Sequence, residues 1–201
     1  MQGSIEAYDN GWETISSETH FKNNNVEVVT DKVRSPARRE PRSWTVARRK
    51  QAVVIAAMTA EGKIILIRQE RIPIRAALWE VPAGQIDEET SDQDQVAAVA
   101  LRELREETGF ELAEGGNLTP LGDYFTSPGF TDERVYFFLA RPVRECAAGH
   151  SRDEAESILD CRAFSADELR RMIAGNEIRD ANTLAICARL LACGILSFSE
   201  V

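Results

Sequence analysis

Residues 84–110 read GQIDEETSDQDQVAAVALRELREETGF. The second half of this stretch has a helical period: at about 3.6 residues per turn, Val96, Ala97, Ala100, Leu101 and Leu104 fall on one apolar arc. Ser91 or Asp92 can cap the start of such a helix, and Gly109 is the residue type that ends one. Beside the arc lie Arg102, Glu103, Glu106 and Glu107. Glu103 and Glu107 are one turn apart, where like charges repel by roughly 0.2–0.5 kcal/mol on an exposed helix and by more when desolvated. Two readings are open: a solvated face in which Arg102 and Arg105 pair with neighbouring acids, or a cation site. A hard divalent ion such as Mg²⁺ takes oxygen ligands and binds through a few carboxylates together with substrate phosphates. Three glutamates behind a glycine-containing loop suit that task.

Working outward, QAVVIAAM (51–58) and EGKIILIRQ (61–69) read as core strands joined by a turn at Gly62. Further strands are expected at LTPLGDYFTS (118–127), RVYFFLA (134–140) and SILDCRAF (157–164), and helices at ADELRRMIAG (166–175) and ANTLAICARLLACGIL (181–196). Mixed strands flanked by helices predict an α/β sandwich. Nearer the start, WETISSET (12–19) and VEVVTDKV (26–33) predict a hairpin or a pair of edge strands. The basic run DKVRSPARREPRSWTVARRK (31–50), broken by Pro36 and Pro41, reads mostly as a solvated linker, some of whose arginines could meet phosphate.

Composition narrows the function classes. With 201 residues the chain suits one well-buried domain with appendages, and its formal charge of -9 argues against a nucleic-acid surface. No basic-then-apolar leader is seen, and the most apolar runs are too short to span a bilayer, so a soluble cytoplasmic protein without membrane contact is expected. Cys146, Cys161, Cys187 and Cys193 are irregularly spaced with no CxxC pair, and read as reduced packing residues. The two histidines, His20 and His150, leave little material for a histidine-assisted nucleophile. Chemistry on carboxylates is what remains.

The stretch 84–110 resembles the Nudix box, whose second half is Arg-Glu-apolar-x-Glu-Glu-x-Gly-apolar; Arg102, Glu103, Leu104, Glu106, Glu107, Gly109 and Phe110 match it throughout. The first half departs. Gly84 lies eighteen positions before Arg102, where the family pattern sets fourteen, so the loop carries four extra residues. Thr90 then stands at the nominal Glu position, or Asp94 when counted back from Arg102, and Glu88, Glu89 or Asp94 could substitute. Three more stretches resemble the ADP-ribose pyrophosphatases and other nucleoside diphosphate sugar hydrolases within that family. They are LIRQERIPI (66–74) followed by LWEVPAG (78–84), YFTSPGFTDERVYFFLA (124–140), and IRDANTLAICARLLA (178–192).

The resemblance implies a Nudix fold, an α/β/α sandwich around a mixed sheet, over residues 49–201, preceded by a strand-containing N-terminal extension, 1–48, that dimerises. It implies Mg²⁺-dependent hydrolysis of the diphosphate bond of ADP-ribose or a related nucleotide sugar, with Mn²⁺ able to replace Mg²⁺. Glu103 and Glu107 become the main metal ligands, with Glu106 alongside in both the catalytic and the metal set, and the Ala83 carbonyl completes the site. Arg71 is placed on substrate phosphate, with Glu80 of the E-x-P-A-G run also at the substrate and Pro128 shaping the wall near the terminal sugar. SRDEAESIL (151–159) offers Asp153, Glu154 and Glu156 for the general base, of which Glu154 is the choice, with Glu156 as a further metal ligand. Trp12, Phe21 and Trp44 stand for base stacking or for packing in a homodimer. Dinucleoside polyphosphates and oxidised nucleoside triphosphates rank lower as substrates. The alternative from another class is a catalytically silent module that binds a nucleotide sugar and signals to a partner.

Overall fold

The computed structural model describes residues 11–87, 90, 92–147, 149 and 157–198. The chain divides into two compact units: one holds the chain up to Gln51 together with Tyr124–Arg134, the other Ala52–Asp123 and Val135 onward.

In the first unit three antiparallel strands, β1 (Glu13–Lys22), β2 (Val26–Arg34) and β3 (Arg42–Arg49), lie in the order β1-β2-β3. The hairpin expected from alternation is β1–β2. The basic run departs from the linker reading: only its middle, between Pro36 and Pro41, connects, and Arg42–Arg49 pairs along its whole length with β2. Trp44, Thr45 and Val46 supply β propensity there, and the charges are absorbed locally, Arg48 by Asp31 and Arg49 by Glu133. The segment 124–134 docks on the same strand through Ala47 N–H to the Phe130 carbonyl at 3.0 Å and Trp44 Nε1–H to the Gly129 carbonyl at 3.0 Å.

The second unit is built on β4 (Ala52–Thr59), β5 (Ile64–Arg71), β6 (Ala76–Glu80), β7 (Ala83–Gln85), β8 (Phe110–Phe125), β9 (Arg134–Glu145) and β10 (Ile158–Phe164). Its main sheet runs β10-β5-β4-β9-β8, with β4 and β9 parallel, so the sheet is mixed. Val53 to Met58 are all buried, as expected of a continuous apolar run covered on both faces. Helix α1 (Gln93–Thr108) packs on β4, β5 and β7, and its Val96, Ala100 and Leu104 join Val53, Ile55, Ala57 and Ile65 in one core. Helix α3 (Ala181–Ala192) also packs on β4, and α2 (Ala166–Ala174) begins with a capping box of Ser165 and Glu168. Among the described residues no helix is long and apolar enough to cross a membrane.

One feature of the sheet creates the site. β4 and β5 are paired only at Met58 and Ile64, beside their turn. Beyond that point they part, β6 continues on β5, β7 continues on β4, and Val81–Pro82 crosses between them. These two short strands had no period of their own in the sequence.

Candidate functional site

The crossing Glu80–Gly84 is clamped by side chains from three elements. A chain segment between diverging strands has lost its ladder partners, and a buried N–H without an acceptor costs about 1–3 kcal/mol. Pro82 has no N–H, and its carbonyl accepts from Ile55 N at 2.9 Å. Val81 N donates to Thr183 Oγ1 at 3.0 Å, and the Thr183 hydroxyl donates to Asp180 Oδ2 at 2.7 Å. Asp180 is the N-cap of α3, so that one carboxylate both starts the helix and holds the residue that holds the loop. Ala83 N donates to Glu107 Oε2 at 2.9 Å.

α1 brings the acids. It starts at Asp92, whose side chain accepts from Asp94 N, and stops at Gly109, which takes the left-handed conformation at φ 74°. Its buried stripe is Val96, Ala100, Glu103, Leu104, Glu107 and Thr108, while Leu101 is 38% exposed. The apolar arc expected from hydrophobicity alone is therefore rotated. Glu103 and Glu107, at 6% and 1% exposure, occupy the stripe that Leu101 was expected to share. Glu103 lies directly over Gly84: a Cβ there would sit 2.0 Å from Glu103 Cδ, which is the physical reason for a glycine at that position. Arg102 bonds Glu103 Oε1 through Nη2 at 2.6 Å and Glu106 Oε2 through Nη1 at 2.7 Å. Burial works against the Arg102 charge, but the neighbouring Glu103 and Glu106 carboxylates outweigh it and hold the guanidinium above the usual arginine range.

At the other end of the crossing, Arg71 binds both oxygens of Glu80: Nε lies 3.1 Å from each, and Nη2 2.5 Å from Oε2. The Glu80 side chain is 4% exposed and that of Arg71 42%. Burial pushes the Glu80 carboxyl up, Arg71 pulls it back, and Asp180 adds to the rise. Arg71 keeps its proton at physiological pH, and its bidentate contact favours the charged form of Glu80 against that rise. Burial likewise opposes the Arg71 charge, yet Glu80, with Asp180 and Glu107 behind it, raises its pKa overall.

Arg71, Glu80, Ala83, Glu103 and Glu107 thus converge on five consecutive residues. Glu106 is further out, half-exposed and turned to Arg102, and among the described residues no three His, Cys, Asp or Glu side chains form a ready metal cluster. The donor set still fits a hard cation: two buried carboxylates one turn apart, Glu103 packed against a glycine with no room for a side chain and Glu107 on the neighbouring Ala83 N–H. Pro128 lies in the first unit, where it lines a cleft of about 320 Å³ with Trp44, Phe125 and Phe130. Glu88, Glu89, Asp153, Glu154 and Glu156 lie outside the described residues. Thr183 and Asp180 were missed as loop supports. The bond from Thr183 to Val81 spans 102 positions, and no local pattern announces it.

Comparison with known proteins places this geometry in a wider set. The NUDIX domain family model matches residues 48–185. An ADP-ribose pyrophosphatase of Bacillus subtilis (strain 168) is 30% identical over 170 residues, covering 85% of this chain and 87% of the relative. A methanol dehydrogenase activator of Bacillus methanolicus is 32% identical over 177 residues, covering 85% and 88%. Among solved structures, the crystal structure of an ADP compounds hydrolase superposes with a TM-score of 0.72 at 19% identity, covering 92% of this chain and 97% of that one, a likeness of fold.

Proposed function

Because the chain belongs to the NUDIX domain family, we propose that it hydrolyses the diphosphate bond of ADP-ribose or a related nucleoside diphosphate sugar, releasing a nucleoside monophosphate and a sugar phosphate. The observation that carries this reading is the pair of buried carboxylates, Glu103 and Glu107, packed on Gly84 and Ala83 within a complete second half of the Nudix box. Buried carboxylates cost stability unless something compensates them, and a module with no cation to bind has little use for two in one stripe. The ADP-ribose pyrophosphatase relative supports the choice of substrate class.

Glu103, Glu107, Glu106 and the Ala83 carbonyl would hold Mg²⁺, with Mn²⁺ as a substitute and Glu156 as a further ligand. Held by these residues, a divalent ion would supply neutralisation of the diphosphate charge and a lowered pKa for a water. The chain's own residues do the rest. Arg71 presents a planar fork to a phosphate oxygen pair. Asp180 and Thr183 fix Val81, and Glu107 fixes the Ala83 N–H, so the backbone leading to the Ala83 carbonyl is held before any ligand arrives. Glu154 is the base that takes the proton from the attacking water. The protein works as a cytoplasmic homodimer.

A second reading has one observation behind it: a relative of similar identity and coverage is named an activator of another enzyme. In that reading the site binds a nucleotide sugar and a partner protein reads the bound state. Incubation with Mg²⁺ and, separately, ADP-ribose, GDP-mannose, UDP-glucose and a dinucleoside polyphosphate decides between them. The hydrolase reading expects AMP and ribose 5-phosphate from ADP-ribose. Survival of every substrate, with metal-dependent binding of one, sinks it in favour of the binding module.

A further inference from the structure

We infer that Glu80 is a positioning residue: it grips one edge of the Arg71 guanidinium so that the other edge faces the substrate phosphate. The inference rests on the hydrolase reading for what Arg71 meets, and on geometry for the rest. In the ladder of β5 and β6, Arg71 faces Ala76, Gln69 faces Leu78 and Ile67 faces Glu80. Side chains two apart on a strand share a face, so Gln69 and Leu78 form the rung between Arg71 and Glu80, and the two long side chains meet across that rung.

The grip uses one side of the fork. Nε and Nη2 point at Glu80, and among the described residues nothing bonds Nη1. A guanidinium has a second edge, Nη1 with the other hydrogen of Nη2, that matches a phosphate oxygen pair equally well. Among the described residues the hydrogen bonds of the Arg71 guanidinium all go to Glu80, while Asp180 and Glu107 act on its charge without bonding it. The chain leaves β5 at Arg71 into a one-turn 3-10 helix, Ile72–Ile74, whose first residue is 88% exposed, so local packing does not orient the side chain. Gln69, two residues before Arg71 on the same face, does not hold it either: its buried Oε1 makes no hydrogen bond. Glu80 is the anchor.

Stability alone is a poor reason for this pair. A buried ion pair is often no more stabilising than apolar residues of the same volume, whereas a fixed orientation has no apolar substitute. Glu80 is also placed to carry information. It is the first residue of the clamped crossing, so three peptide bonds separate the anchor of Arg71 from Ala83, whose carbonyl belongs to the proposed metal site. The position of the phosphate grip and that of the metal-side carbonyl are set by one short stretch of backbone.

A double-mutant cycle separates positioning from direct contact and from structure. Glu80→Gln, Arg71→Gln and the double variant are compared in kcat/KM for ADP-ribose, with thermal unfolding of each as a check on folding. Positioning predicts that Glu80→Gln lowers kcat/KM about tenfold when Arg71 is present and less than about twofold when it is already Gln. Glu80→Asp, which keeps the charge and shortens the reach, should lose kcat while its Tm stays near wild type. Equal losses from Glu80→Gln in both backgrounds, or full activity of Glu80→Asp, overturn the assignment. A wild type that turns over nothing sinks the hydrolase reading alone. The cycle is then read in calorimetric affinity for ADP with Mg²⁺, where the same non-additivity is expected. Additive losses there, or no ADP binding by wild type, overturn the role of Glu80 too.

Discussion

Gly84 has no room for even a methyl group, because the Glu103 carboxylate fills the volume that a Cβ would take. Gly84→Ala must displace Glu103 or the loop, and overpacking of this kind costs about 1–3 kcal/mol. The expected result is a protein that folds with a lowered Tm and loses most of its turnover. Unchanged turnover would separate the Glu103–Gly84 contact from the chemistry. The cysteines give a second test at this scale. Cys187 is 2% exposed, and burial pushes its thiol up to about 11, so it stays neutral and shielded at pH 8. Cys193 is exposed. Iodoacetamide should label Cys193 within minutes in the folded protein and reach Cys187 only after denaturant is added; rapid labelling of Cys187 in buffer would contradict its packing in α3.

At the scale of elements, the crossing between β6 and β7 is held from α3 as firmly as from α1. Thr183→Val keeps the shape and removes the acceptor for Val81 N, a buried donor, so unfolding free energy should fall by about 1–3 kcal/mol. Turnover should fall further than global stability explains, because Ala83 is two residues along the same clamped backbone. Equal activity at equal folded fraction would show that the clamp serves the fold alone. Elements were legible in the sequence where a period or a cap announced them. The core strands, α1 with Asp92 and Gly109 at its ends, and α2 all stand where alternation, helical spacing and capping residues put them. Two things were not legible. β6 and β7 are too short to show a period, and they take their pairing from strands that part company. α1 carries glutamates in its buried stripe, which hydrophobic spacing cannot foresee: it assigns Leu101 to the core and the acids to its border. Helical spacing grouped those acids and the resemblance to the Nudix box favoured the cation reading, but neither gave a hint that Thr183 would reach them through Val81.

For the whole molecule, a net charge of -9 makes the surrounding field unfavourable to an anionic substrate, so cations must be supplied at the site itself. Arg71 is one, and Mg²⁺ among Glu103, Glu106 and Glu107 is the other in the function proposed. The most direct measurement of that claim is Mg²⁺-dependent turnover of ADP-ribose by wild type against Glu107→Gln, with both proteins shown to be folded by thermal unfolding. Wild type should form AMP and ribose 5-phosphate only when Mg²⁺ is present, and the variant should be slower by about a hundredfold or more. Undiminished turnover by a folded Glu107→Gln variant, or full wild-type turnover in excess chelator, would contradict it.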